Sequence, residues 1–101
     1  MNSIQIPYYA PPEDLPAEIP NKDVIDSSKD VLCEQSARKV VGVGPRFVVK
    51  YGLQIELEEG LDMIYIKNNT SVSVPKVYAL FKDVESNKKV HHYAKDQWRS
   101  S

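Results

Sequence analysis

Lys50 stands in an otherwise apolar run, Phe47-Val48-Val49-Lys50-Tyr51, where an ammonium needs either an edge position or a carboxylate partner. Glu59 supplies such a partner from a segment with helical periodicity. An ammonium held by a carboxylate is suited to meeting phosphate oxygens; otherwise the two are a plain ion pair or two solvated charges at a sheet edge. Glu58 competes for the same role, but it lies about 100° around the helix, so only one of the two glutamates faces Lys50 well. The remaining reactive types carry less. Cys33 reads as a small buried side chain without a nucleophilic role. His91 and His92 are adjacent on an expected strand and point to opposite faces, so they do not share a metal; loop or strand-surface positions suit them. Lys88 and Lys89, like Glu56, Glu58 and Asp62, read as solvated faces.

The elements that must position Lys50 and Glu59 are legible from periodicity. Residues 38–52 read as a β-hairpin whose two β-branched runs flank Gly44-Pro45, with Gly42 and Gly44 assigned to turn chemistry. Alternation puts Val48 and Lys50 on one face of the second strand and Phe47, Val49 and Tyr51 on the other. Residues 54–68 predict a helix of about four turns. Leu57, Leu61, Ile64 and Tyr65 form its core stripe, and Glu59, Met63 and Ile66 lie on roughly the opposite side, so the helix is apolar on two sides. Asn68-Asn69-Thr70 ends it, residues 71–75 cross over in extended form, and residues 76–81 and 90–94 predict two further strands around a turn at 85–89. Residues 26–38 read as a short helix started by a Ser or Asp cap.

Composition bounds the whole. A chain of 101 residues with 42% hydrophobic content holds one domain, and the early prolines shrink the part available for a core. Residues 1–28, with Pro7, Pro11, Pro12, Pro16 and Pro20, read as a largely irregular Pro-rich leader or extended arm, able to dock through Tyr8, Tyr9 and Leu15. Residues 29–95 form the lobe and residues 96–101 a polar tail. A net charge of -1 provides no basic field for nucleic acid, and no apolar run is long enough for a membrane span. With one cysteine and no basic-then-apolar leader, a cytoplasmic location is expected. The fold class is α+β, one small antiparallel sheet with one helix on a face.

Three pieces in order carry a family resemblance: Val48-Val49-Lys50-Tyr51-Gly52, then Glu58-Glu59-Gly60-Leu61-Asp62-Met63, then Thr70-Ser71-Val72-Ser73-Val74-Pro75-Lys76-Val77-Tyr78-Ala79-Leu80. Over roughly residues 30–90 the chain resembles the N-terminal lobe of the fungal kinase-like proteins related to aminoglycoside and choline phosphotransferases. That resemblance implies a kinase-like N-lobe, with ATP and magnesium as the cofactors of the parent family, Lys50 as the lysine on the ATP phosphates and Glu59 as its helix partner. It departs from the family at Gly60, where alanine is more usual, at Ser73, where proline is usual, and from His91 onward, where relatives lead into an adenine-binding hinge. Gly60 is expected to weaken the helix by roughly 1 kcal/mol relative to Ala.

Phosphoryl transfer in that family also needs a second lobe with an acceptor-aligning aspartate and metal ligands, and no His-x-Asp or Asp-Phe-Gly-like segment occurs here. The expectation is a truncated kinase-like lobe, with weak or vestigial ATP binding and no catalytic residue or metal ligand of its own. The alternative is a protein-interaction module or a non-functional fragment. Its partner, or a second copy of the chain, would use the sheet edge or the Met63 and Ile66 side of the helix.

Overall fold

Alternating β-branched residues around a glycine turn start the sheet, and the computed structural model, which describes residues 5–98, completes it with six strands. These are β1 (Tyr8–Tyr9), β2 (Asp30–Gln35), β3 (Arg38–Val43), β4 (Phe47–Gly52), β5 (Val77–Lys82) and β6 (Lys89–Ala94). Every neighbouring pair is antiparallel, in the spatial order β1-β5-β6-β4-β3-β2. Helix α1 (Lys22–Asp26) precedes β2, and helix α2 (Leu57–Asn69) connects β4 to β5. Residues 1–4 of the leader and 99–101 of the tail lie outside the described residues.

The hairpin of β3 and β4 forms as expected, in the register Val43↔Phe47 to Lys39↔Tyr51. Gly44 makes its turn at φ 60°, a left-handed conformation that suits glycine. Gly42 does not belong to the turn. It lies in β3 opposite Asp30, where an added Cβ would stand 2.1 Å from an Asp30 carboxylate oxygen.

Helix α2 starts three residues later than the period suggests and ends at Thr70, whose backbone N–H and hydroxyl both donate to the Ile66 carbonyl, at 3.0 and 2.7 Å. Glu58 and Glu59 in its first turn and Lys67 in its last suit the helix dipole. Ile64 is buried with Val77, Leu80 and Tyr93, and Leu57, Leu61 and Met63 pack against them. Tyr65, expected in the core stripe, is 65% exposed: the sheet-facing arc passes through Gly60 and Ile64 and leaves Tyr65 beyond its edge. Ile66 is half-buried.

The other sheet face holds Val41, Val43, Phe47, Val49, Tyr78 and Val90. Its cover comes from the leader, whose Ala10 and Ile25 are buried in this cluster while Leu15 packs against it. Within the leader, β1 pairs with β5, residues 12–14 make a 3-10 turn, and Asn21 caps α1 by accepting from the Val24 N–H at 3.0 Å.

Three further readings change. Residues 30–35, expected within a helix, form β2, an edge strand with every residue exposed; backbone pairing to β3, not side-chain burial, decides its conformation. Cys33 is consequently exposed. His91 and His92, expected at the surface, are both 0% exposed. β6 lies between β4 and β5, with α2 on one side and the leader on the other, so both of its faces are interior.

Candidate functional site

Lys50 lies in the middle of β4, with Val40 of β3 and His91 of β6 as its register partners. Central strands on both sides shut out solvent, and the residue is 7% exposed. Its ammonium donates to Glu59 Oε1 in the first turn of α2. The structure therefore brings together the two residues singled out from the sequence. Their environments differ: the Lys50 side chain is 8% exposed and that of Glu59 49%, so one charge is buried and the other remains hydrated.

Beneath the pair, His91 Nδ1 and Tyr93 Oη share a hydrogen bond of 2.6 Å. Burial pushes the His91 imidazole down to about 4, with the Glu59 carboxylate pulling it up and the Lys50 ammonium pushing it further down. Burial, and then the Glu59 charge, hold the Tyr93 phenol well above its usual range. Both groups are thus neutral at pH 7. On the opposite face, burial also brings His92 down to about 4, opposed by the Pro20 carbonyl. Its ring packs against Phe47 and Phe81, with centroids 6.5 and 5.6 Å away.

The Lys50–Glu59 pair lines a cleft of about 540 Å³. Its walls come from Leu32 and Cys33 of β2, Arg38 and Val40 of β3, Met63 of α2, and Ser73 and Pro75 of the crossover. Tyr93 and Trp98 line it as well, with ring centroids 5.2 Å apart. Arg38 and Tyr93 were not singled out from the sequence. A signal for Arg38 was present: it lies two residues before Val40 on the same face of β3, and Val40 is the partner of Lys50 once the hairpin register is known.

The C-terminal segment is anchored to this frame. Lys95 Nζ lies 3.0 Å from both Asp30 Oδ2 and the Gly44 carbonyl, and Gln97 Oε1 accepts from the Lys76 N–H at 2.8 Å. Among the described residues, no group of three or more His, Cys, Asp or Glu side chains is placed to hold a metal ion. No helix there is long and apolar enough to cross a membrane. Comparison of the chain with protein-family models, with curated proteins and with solved structures finds no match.

Proposed function

We propose that this chain is the phosphate-holding lobe of a kinase-like phosphotransferase fold, in which Lys50 contacts the phosphates of ATP and Glu59 holds the lysine in place. The observation that carries this reading is the ion pair itself: a buried strand lysine bound to a glutamate in the first turn of the following helix, in the wall of a cleft large enough for a small ligand. The strand order supports it, since β2, β3 and β4 lie in sequence and β6 inserts between β4 and β5 after the helix.

The residues fit a phosphate better than a metal. Lys50 offers an ammonium with three donor hydrogens, one of them taken by Glu59, while no cluster of three or more His, Cys, Asp or Glu side chains lies among the described residues. The proposed role is therefore binding and orientation of phosphate oxygens, with magnesium arriving, if used, on the nucleotide. A cytoplasmic setting belongs to the same reading and is supported by the lone cysteine.

Calorimetric titration of the chain with ATP and magnesium tests it. Binding that Lys50→Met removes, with the melting temperature little changed, is the expected result; a chain that takes no ATP at low salt ends this reading. A second reading, an interaction module, is favoured by edge strand β2, whose Val31 and Leu32 are 43% and 42% exposed. Sedimentation tests that reading: self-association abolished by Leu32→Lys supports it, and a monomer at high concentration speaks against pairing between copies.

A further inference from the structure

Arg38, Lys50 and Glu59 are the charged residues lining the cleft. The carboxylate is already engaged by Lys50, and Arg38 has no ion-pair partner among the described residues. Arg38 is half-buried, and its Nε is shielded from solvent without a hydrogen-bond partner among the described residues. A guanidinium cannot shed its proton, so Arg38 keeps its positive charge in the cleft wall whatever the pH. The chemistry that suits it is anionic and multidentate. Arginine matches two oxygens of one phosphate with its planar fork, while lysine acts as a point charge on another.

We propose that Arg38 and Lys50 form a two-cation site for a polyphosphate chain, with Arg38 taking a different phosphate group from the one on Lys50. The identity of the ligand as a nucleotide rests on the function proposed above; the requirement for a polyanion does not. The Arg38 side chain reaches this site because β3 alternates. Arg38 and Val40 share the cleft face, and Val40 is paired directly with Lys50.

The test is calorimetry at low ionic strength, where screening is weak, with inorganic tripolyphosphate, ATP and adenosine as probes. Arg38→Gln is expected to weaken tripolyphosphate by about tenfold or more, and Arg38→Lys, which keeps the charge but loses the fork, by about threefold. Adenosine is expected to be unaffected by either. Should Arg38→Gln not fold, the Arg38→Lys comparison decides. Folded variants that hold tripolyphosphate as tightly as the native chain would overturn the two-cation site. ATP bound equally well by native chain and variants would end this proposal and leave the nucleotide reading standing. Tripolyphosphate bound while ATP is refused would do the reverse, and a native chain that binds neither anion would end both.

Discussion

At the residue scale the two members of the central ion pair are not equivalent. Removing Lys50 leaves Glu59, which is half exposed and stays hydrated; removing the glutamate leaves an ammonium buried without its partner. Glu59→Gln is therefore expected to destabilise the chain more than Lys50→Met, by about 1–2 kcal/mol after allowing for the solvent around Glu59. Urea unfolding of the two variants checks it, and equal losses would mean that water already reaches Lys50. The buried histidines set the pH dependence. Each imidazole is held at about 4 in the folded chain against 6.5 when free, so between those values the unfolded chain binds more protons. Stability should be full above about 6.5 and fall with acidification to about pH 4, by an amount on the order of 3 kcal/mol per ring. Thermal melts across that range measure the slope, and His92→Phe, whose neighbours are already aromatic, should remove roughly half of it.

At the element scale Gly60 shows how a local rule is overridden. By propensity alone, Gly60→Ala should strengthen α2 by roughly 1 kcal/mol. The residue faces the sheet, however, and a Cβ there would stand 2.2 Å and 2.8 Å from the two methyl carbons of Leu80, which is 0% exposed. The glycine lets helix and strand approach closely, and forcing the leucine aside costs about 1–3 kcal/mol. Gly60→Ala is thus expected to lower stability, and Gly60→Ala combined with Leu80→Ala to lose less than the sum of the two. Additive losses in a double-mutant cycle would show that the contact is not what constrains the site. Helix α2 and the β3–β4 hairpin were legible because each carries a clear period, and Lys50 and Glu59 were legible with them. Strand β2 was not, because an edge strand with every residue exposed has no burial pattern to read.

For the whole molecule, the sheet needs cover on two faces, and one helix of 13 residues lies on one of them. The second face is closed by the N-terminal segment, whose sequence, broken by prolines, carries no period that would announce a core contribution. Burial of His92 follows from this, since the segment that supplies Pro20 and Ile25 lies on its side of the sheet. Met63 packs against the helix-side cluster and Ile66 is half-buried, so self-association through that side of α2 has less apolar surface to draw on than the sequence alone suggests. The face under the leader is the greater liability. Ile25 is 6% exposed and borders a second, smaller pocket of about 120 Å³ beside Phe81 and Val90. Ile25→Asp would replace a buried apolar side chain of this cluster by a carboxylate, and the loss is expected to be about 3 kcal/mol or more, from lost burial and the cost of desolvating a charge. Removing residues 1–28 should go further, exposing Phe47, Val49, Tyr78 and Val90 together and driving the chain to aggregate. Chemical unfolding of Ile25→Asp and light scattering of the shortened chain are the measurements. A shortened chain that stays monomeric and melts cooperatively near the full-length temperature would show that the second face tolerates water, and that the N-terminal segment is an attachment instead of a layer of the core.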